Sequence, residues 1–366
     1  MKFLHTADWQ IGMRAAQFGE KGERVRASRL ESARRVVDLA RAEKVDFLLL
    51  AGDVFEHNGV ERLKIREVAR ILGAAPCPAY VIPGNHDPLI AGSVWEDKAW
   101  SEQPNVHILA EPAPVEIPGG LLYPCPVTAS DSRDDPTAWI DARTDLIAVG
   151  MGHGSVENGA YGDVSLPIPR NAAEARGLDY LALGHHHSRK LYADPDGRVR
   201  MAYSGTHEST SFDETASGNA LVVEISRRGA APQVQVVRTG CLEWISRREA
   251  IDHPGRIAEL AEEFERLPAP ERTLVECTLS GTLFGTEDGA LSRLIEIVEG
   301  RFLFGRINVS GLVPDEVGPD WIERLPEGYL REAAQKLLAC ARSEPPDAAA
   351  AAALRRFLRL WQEMPL

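Results

Sequence analysis

The sequence contains no long uninterrupted apolar run and no closely spaced pair of cysteines. No stretch approaches the roughly 18 consecutive apolar residues of a membrane-spanning helix, so we expect no membrane partner. The opening residues, MKFLHTADW, reach an aspartate too early for the apolar region of a secretory signal peptide. Without a CxxC pair, a zinc–cysteine site is disfavoured. We expect reduced, mostly buried thiols of a cytoplasmic protein at Cys77, Cys125, Cys241, Cys277 and Cys340.

Positive charge is also scarce, because 41 lysines and arginines face 54 aspartates and glutamates, for a net charge of -13. This balance argues against a protein that coats nucleic acid through charge alone. It does not exclude a nuclease, since divalent cations bound by a cluster of acidic side chains present a local positive potential to a phosphodiester.

The length of the chain predicts more than one domain, because 366 residues exceed what one hydrophobic core usually spans. We predict a large α/β domain over residues 1–240, a small α+β domain over residues 241–342 and an amphipathic helix within residues 343–366. Leu354, Phe357, Leu358 and Trp361 share one face of that helix. Docking of a partner and packing against the small domain both remain open for it.

Short apolar runs alternate with helical patterns through about residue 240. Helices are predicted over residues 28–43 and 61–73, beside buried strands such as VDFLLLAGD. The later strands follow one another closely, which indicates a mixed rather than a purely parallel sheet. Beyond Gly240 the pattern predicts helices over 254–267 and 287–300 and strands over 273–284 and 301–310.

Polar side chains recur where the predicted strands of the large domain end. Ligands of open α/β sheets bind outside the carboxyl ends of strands, so we expect these side chains to meet at one edge. They supply carboxylate, amide and imidazole groups, a mixture that suits Mn, Fe or Zn better than calcium. Glycines beside most of them let the backbone approach a small site. The residues are Asp8, Asp53, Asn85, His86, His153, His185 and His187.

The order of these motifs, DWQ, GDVFE, GNHD, GH and GHHH, resembles the calcineurin-like metallophosphoesterase superfamily. That family carries D-x-H, GD, GNH[DE], a single histidine and GHxH. Within it, LHTADWQIG, LLLAGDVFE, VIPGNHDP and YLALGHHHS are similar to the SbcD-type exonucleases of DNA double-strand-break repair. The resemblance covers about residues 1–240. It implies a two-layer mixed β-sandwich flanked by helices, followed by a small α+β capping domain.

The resemblance also implies two divalent metal ions, with manganese the first choice and Fe, Zn or Mg as alternatives. Asp53 would bridge the two ions. Asp8, residue 10 and His187 would complete the first coordination sphere, and Asn85, His153 and His185 the second. His86 would lie against the substrate phosphate. His186, between two of these residues, is expected on the opposite face of a strand.

Two positions depart from the family pattern. Gln10 stands where the family has histidine, and an amide oxygen is a poorer ligand than imidazole for these metals. Either Gln10 or a water completes a weaker first site, or only the second metal is held firmly, or the fold is non-catalytic. Glu56 stands where the nuclease branch often has histidine. The neighbouring His57 is expected to face differently.

The predicted function is metal-dependent phosphodiester hydrolysis on DNA by a metal-activated hydroxide, as an exonuclease in double-strand-break processing. The alternatives are a phosphatase or small-molecule phosphodiesterase on the same core, and a scaffold with an impaired first metal site. The resemblance implies a coiled-coil, SMC-like ATPase as partner, and a homodimer is left open.

Four further aromatic residues have structural interpretations. His5 is expected to pack behind the site, and His207 to lie on a surface loop. Trp9 and Trp95 are expected in aromatic packing rather than stacked on a base.

Overall fold

The structure, a computed structural model, describes residues 1–129, 132–156, 165–285, 287–314, 319–345 and 347–363. It divides into two compact units, Met1–Leu242 and Glu243–Leu366. Among the described residues, no helix combines the length and the apolar content that crossing a membrane requires. None of the five cysteines is in a disulfide, and all but Cys340 are buried.

Twelve strands of the first unit form two six-stranded sheets. They are β1 (Lys2–Thr6), β2 (Phe47–Ala51), β3 (Ala79–Ile82), β4 (Val106–Ile108), β5 (Val115–Ile117), β6 (Gly120–Pro124), β7 (Ile147–His153), β8 (Tyr180–Gly184), β9 (Lys190–Ala193), β10 (Val199–Tyr203), β11 (Asn219–Glu224) and β12 (Gln233–Arg238). The strand orders are β12-β11-β1-β2-β3-β4 and β5-β6-β7-β8-β10-β9.

Both sheets are mixed. Strands β1 to β4 pair in parallel, and β11 joins β1 in the antiparallel direction. In the second sheet β6, β7, β8 and β10 are parallel, with antiparallel β5 and β9 at the two edges. The predicted two-layer mixed β-sandwich is therefore confirmed.

The fully apolar strand β2 explains how the layers pack. Phe47, Leu49 and Ala51 contribute to the core between the sheets. Leu48 and Leu50 face the other way, as alternation along a strand requires, and pack beneath helices. Helices α1 (Gly22–Glu43) and α2 (Arg62–Gly73) cover this outer face, and the short α3 (Ala172–Ala175) contributes to the core outside the second sheet.

Helix α1 begins at Gly22, earlier than the predicted residue 28. Its buried positions include Gly22, Ser28, Arg29 and Ser32, so small and polar residues hide the helical period of its first turns. The short strands β4, β5, β6 and β9 were not predicted either. All four have five residues or fewer and lie at or beside a sheet edge, where the apolar pattern is weak.

The second unit has a parallel three-stranded sheet in the order β13-β14-β15. Its elements are β13 (Glu243–Ile251), α4 (Arg256–Glu265), β14 (Thr273–Leu283), α5 (Asp288–Arg301), β15 (Phe304–Pro314), α6 (Pro319–Arg324), α7 (Tyr329–Ala341) and α8 (Ala348–Glu363). Strand β13 was not predicted, because EWISRREAI carries four charges and reads as exposed. Helices α6 and α7 were not predicted either.

Helix α8 is the predicted C-terminal helix, and it packs inside the second unit. Leu354 is fully buried with Trp321, Ile322 and Leu325, and Phe357 and Trp361 pack against the same cluster. The side chain of Leu358 lies outside the described residues.

Candidate metal centre

The site residues that the sequence predicts lie at the ends of five strands from both sheets of the first unit. Asp8 follows β1, Asp53 follows β2, and Asn85 and His86 follow β3. From the second sheet, His153 ends β7, and His185 and His187 follow β8. Ligand atoms of Asp8, Asp53 and His153 all lie within 4.8 Å of one another.

The backbone at these positions is unusual. Asp8, Gln10, Asp53 and His185 have positive φ values of 55°, 46°, 52° and 105°. Such conformations cost about 1–3 kcal/mol each for non-glycine residues and cluster where the surrounding structure fixes a functional geometry. The turns are fixed here by hydrogen bonds from Asp8 N to Gly52 O (3.1 Å) and from Gln10 N to Asp53 O (3.0 Å).

Two glycines let the backbone pass close to the side chains of Asp53 and His153. A Cβ on Gly84 would lie 2.1 Å from Asp53 Oδ1 and 2.3 Å from its backbone nitrogen. Gly52 has a φ of 87°, and its Cβ would lie 2.3 Å from His153 Nδ1. Any side chain at either position would displace a predicted metal ligand.

Asn85, His153 and His185 form what we call the second half-site. His153 Nδ1 donates to Ala51 O (2.9 Å), which leaves Nε2 as its unprotonated nitrogen when the ring is neutral. That Nε2 lies 2.8 Å from Asn85 Oδ1 and 3.4 Å from Asp53 Oδ2. His185 Nδ1 approaches the same Asn85 oxygen to 2.9 Å. These donor atoms converge on one small region.

Asp8, Gln10 and His187 form the first half-site. Gln10 Nε2 donates to Asp53 Oδ2 (3.0 Å) and lies 3.5 Å from His187 Nε2. The amide nitrogen thus stands between two atoms that the resemblance assigns to the first metal. Asp8 Oδ1 accepts a hydrogen bond from His185 N (2.8 Å), which ties this half-site to the second.

The residues fit a divalent cation. Among the described residues, neither Asp8 Oδ2 nor Gln10 Oε1, both buried, has a hydrogen-bond partner. An unpaired buried acceptor costs about 1–3 kcal/mol, more when it is charged, so the carboxylate of Asp8 calls for a positive partner. The mixed oxygen and nitrogen donor set suits manganese, iron or zinc.

A cavity of about 490 Å³ opens beside the first half-site. His86 lines it, donating from Nδ1 to Glu56 O (3.0 Å) and from its backbone nitrogen to Asp53 Oδ1 (2.9 Å). Glu56 and His57 also line the cavity, so the expectation that these two neighbours face differently is wrong. The loop turns at Gly59, whose N–H bonds His57 Nδ1 (3.0 Å).

Comparison with known proteins decides the family. A family model described as calcineurin-like phosphoesterase matches residues 1–189 of the 366-residue chain. The chain belongs to the calcineurin-like phosphoesterase family. Members of this family bind divalent metals, which the donor groups gathered at this site fit.

Two relatives of this phosphoesterase come from Bacillus subtilis (strain 168). It is 28% identical over 241 residues to the uncharacterized metallophosphoesterase YhaO, covering 62% of this chain and 58% of YhaO. It is 26% identical over 278 residues to the D subunit of the nuclease SbcCD, covering 63% of this chain and 67% of that relative. The chain therefore spans less than two thirds of the length of YhaO.

Solved structures resemble the phosphoesterase at low sequence identity. TT1561 of Thermus thermophilus is 11% identical with a TM-score of 0.42, over 65% of this chain and 98% of that one. GAP50, the anchor in the inner membrane complex of Plasmodium, is 12% identical with a TM-score of 0.41, over 65% and 84%.

Burial and mutual attraction set the charges of the phosphoesterase site. Burial raises the pKa of Asp8. Burial also opposes ionisation of Asp53, but the charges of His153 and His86 outweigh it and hold the pKa of Asp53 below its usual range. The neighbouring Asp53 likewise overcomes burial and raises the pKa of His153 to about 9. Asp53 and His153 thus stabilise each other's charged forms at this site.

The structure also places the four aromatic residues. His5 is fully buried, with Nδ1 3.1 Å from Tyr180 Oη and Nε2 3.1 Å from Leu183 O. Trp9 is buried and stacks on His207 at 5.0 Å. Trp95 packs against Phe55 and Trp100. His207 is fully buried, so its predicted surface position is wrong: Trp9 covers its ring, and its Nε2 donates to a carbonyl of α1.

His186 contacts the ring of Tyr203 at 5.5 Å, whereas His187 faces Gln10. Strand β8 ends at Gly184, so the prediction that His186 lies on a strand is wrong.

Three residues that hold the site were missed. Asp87 accepts hydrogen bonds from Phe55 N (2.9 Å) and Gly84 N (2.7 Å) and so joins the loops after β2 and β3. Arg29 donates a hydrogen bond to Trp9 O, in the turn that carries Asp8 and Gln10, and Glu214 contacts His187. Arg29 gave one detectable signal, an arginine at a helix position spaced for burial, and Glu214 belongs to no motif.

Proposed function

We propose that the chain is a metal-dependent phosphodiesterase acting on DNA, most specifically an exonuclease that processes double-strand breaks. The supporting observation is the convergence of Asp8, Asp53, Asn85, His153 and His185 at strand ends, where Asp8 Oδ2 has no hydrogen-bond partner among the residues that the structure describes. Similarity to a subunit of the nuclease SbcCD supports DNA as the substrate class. The five unpaired thiols support a cytoplasmic location.

In this proposal Asp53 would help to hold both of two divalent cations, with manganese as the first choice. Asp8, Gln10 and His187 would hold one cation, and Asn85, His153 and His185 would hold the other. When bound, divalent cations at such a centre polarise a phosphate and activate water for attack on phosphorus.

His86 contributes an imidazole to the substrate cavity. Because its Nδ1 donates to Glu56 O, Nε2 is the ring nitrogen left for a substrate. It can stabilise the charge that develops on the phosphate or donate a proton to the leaving oxygen. The hydrogen bond from its backbone nitrogen to Asp53 fixes its distance from the carboxylate.

The decisive test measures hydrolysis by the purified chain with manganese on three substrates: linear duplex DNA, bis-p-nitrophenyl phosphate and p-nitrophenyl phosphate. Release of nucleotides from DNA that is lost in the Asp53→Asn variant supports the proposal. Turnover of the two small substrates alone would replace the DNA role by a small-molecule phosphodiesterase or phosphatase.

That second candidate has an observation in its favour. The cavity of about 490 Å³ lies within the range that accommodates a small ligand. The third candidate, a scaffold with an impaired first metal site, rests on Gln10 and Glu56, the two departures from the family pattern. Metal content of the purified chain separates it from both enzymes, since a scaffold would retain fewer than two cations per chain in excess manganese.

We further propose a coiled-coil, SMC-like ATPase as partner, contacted through α7 and α8. Leu330 and Leu360 on these helices are 44% and 56% exposed. Truncation after residue 342 would remove Leu354 from the core of the second unit, so Leu330→Glu and Leu360→Glu provide the cleaner test. Unchanged co-purification with such an ATPase in both variants would exclude this surface. Sedimentation of the purified chain tests the homodimer.

A further inference from the structure

We propose that Glu214 is a positioning residue of the first half-site, which strengthens His187 as a metal ligand and so offsets the weak ligand Gln10. The inference rests on the proposed metal-dependent function and names a residue outside the family motifs.

The contacts of His187 define its orientation. Its Nδ1 lies 2.9 Å from Glu214 Oε1, and its Nε2 lies 3.5 Å from the amide nitrogen of Gln10. Since a carboxylate only accepts, Nδ1 carries the proton and Nε2 keeps the lone pair that a cation needs. A carboxylate on the far side of a ligating imidazole fixes its tautomer and raises its basicity.

Glu214 is itself held in place. Its Oε2 accepts a hydrogen bond from Thr210 N (3.0 Å), and the Thr210 hydroxyl donates to Oε1. The Glu214 side chain is only 9% exposed, so water competes little with its contact to His187. The carboxylate of Glu214, itself held by Thr210, thus fixes the orientation of the His187 ring from its Nδ1 side.

The buried Arg29 joins this turn to the segment that carries the other first-half ligands. Arg29 is 1% exposed and donates to Trp9 O (2.8 Å from Nε) and to Glu208 O and Ser209 O (2.8 and 3.2 Å from Nη1). One side chain of α1 therefore fixes both the Asp8–Gln10 turn and the start of the Thr210–Glu214 turn. The geometry of the first half-site does not depend on metal alone.

Gln10 explains why this support matters. Its amide nitrogen occupies the space between Asp53 Oδ2 and His187 Nε2, and a cation that enters must turn the amide so that Oε1 faces it. The neutral amide oxygen then adds little binding energy, and a more basic His187 supplies part of the difference.

The test titrates the full chain with Mn²⁺ alone and measures the two dissociation constants by calorimetry. In Glu214→Gln we expect first-site affinity to fall by about 10–100-fold while second-site affinity is unchanged. In the metal-free Glu214→Gln variant, the ¹⁵N chemical shifts of His187 should indicate a smaller population of the Nδ1–H tautomer than in the unaltered chain. Thermal unfolding in EDTA checks that the isosteric variant is folded.

Asp213→Asn is the matched control, because it removes the same charge from the neighbouring exposed residue. We expect it to leave both affinities unchanged. In the Gln10→His background the loss caused by Glu214→Gln should shrink to below about 10-fold, since an imidazole at position 10 no longer needs the support.

The outcomes separate the inference from the proposed function. If the unaltered chain binds no Mn²⁺, the proposed function fails. If it binds two ions and Glu214→Gln binds them equally well, or if Asp213→Asn weakens binding as much, the function stands and the assignment of Glu214 is overturned. If Glu214→Gln lowers first-site affinity equally with and without Gln10→His, Glu214 does not compensate for Gln10.

Discussion

The first and second half-sites share Asp53 but are built differently. In the second, two imidazole nitrogens lie within 2.9 Å of one amide oxygen, and His153 is fully buried and held by a backbone carbonyl. In the first, Gln10 and His187 border the open cavity, and Asp8 Oδ2 and Gln10 Oε1 have no hydrogen-bond partner within the described part of the chain. In the second half-site the candidate donor atoms already converge. In the first, Arg29 and Glu214 hold the surrounding turns, and the amide nitrogen of Gln10 occupies the space between Asp53 and His187.

The departure from the family pattern, Gln10, lies in the half-site that borders the cavity, although Gln10 itself is only 1% exposed. Water from the cavity can take the place of His187 Nε2, whereas His153 is fully buried. Substitutions in each half-site test this contrast, starting from the residue that both half-sites share.

Asp53→Asn should abolish the distinction by disabling both half-sites. Loss of the shared charge leaves His153 and His86 without their anionic partner, so we expect hydrolysis of bis-p-nitrophenyl phosphate to fall by more than about 10³-fold, beyond the usual cost of one electrostatic contact. Calorimetry should show neither Mn²⁺ bound tightly. Retention of one full-affinity ion would mean that the half-sites are independent.

The same substitution in each half-site should have unequal effects. His153→Gln removes a buried nitrogen that contacts both Asn85 and Asp53, and we expect a loss of about 10²–10³-fold in kcat. His187→Gln should cost about 10–100-fold, because water from the cavity can take the place of its Nε2. Equal losses would contradict the contrast.

Gln10→His should reduce the contrast by strengthening the first half-site. Replacing an amide oxygen by imidazole should tighten the weaker Mn²⁺ dissociation constant by about 10-fold. Gln17→His is the matched control, since Gln17 is an exposed glutamine that lines the same cavity. Equal Mn²⁺ binding in Gln10→His and the unaltered chain would show that Gln10 does not limit the site.

The smallest effect concerns His5, which connects β1 of the first half-site to β8 of the second. Burial lowers the pKa of His5 to about 3, against 6.5 for the unfolded chain. The unfolded state therefore binds the extra proton between these values, and stability falls as the pH falls through that window. We expect this group to cost about 2 kcal/mol at pH 5 relative to pH 8.

His5→Gln should remove that portion of the acid sensitivity, as measured by urea unfolding at the two pH values. An unchanged difference in unfolding free energy between pH 5 and pH 8 would show that His5 is not responsible. Mn²⁺ affinities measured at pH 8 should stay within a few-fold, since His5 contacts Tyr180 and Leu183 rather than a proposed ligand.

Much of the fold could be predicted because its strands and helices carry strong local patterns. The continuous apolar run of β2 and the period of α2 are examples. Strand β13 and the start of α1 could not be predicted, because their burial depends on neighbours that the local pattern does not reveal. His207 was misplaced for the same reason, since a polar loop around it suggested exposure.

The candidate site shows the same division. The identity of the donor groups and their places after strands follow from the sequence, because strand ends in an α/β fold share one edge. The sequence could not indicate that Gln10 donates to Asp53 or that Arg29 bonds two turns far apart in the chain.

By itself, the sequence determined the α/β class, the family and the chemical kinds of ligand, because short apolar strands and polar strand ends are local properties. Only the tertiary structure decided which atoms meet, since the contact of Glu214 with His187 and the closing of the first half-site by an amide depend on segments that are distant in sequence. Hydrogen bonds at about 3 Å fix such partners, and no sequence pattern encodes that distance.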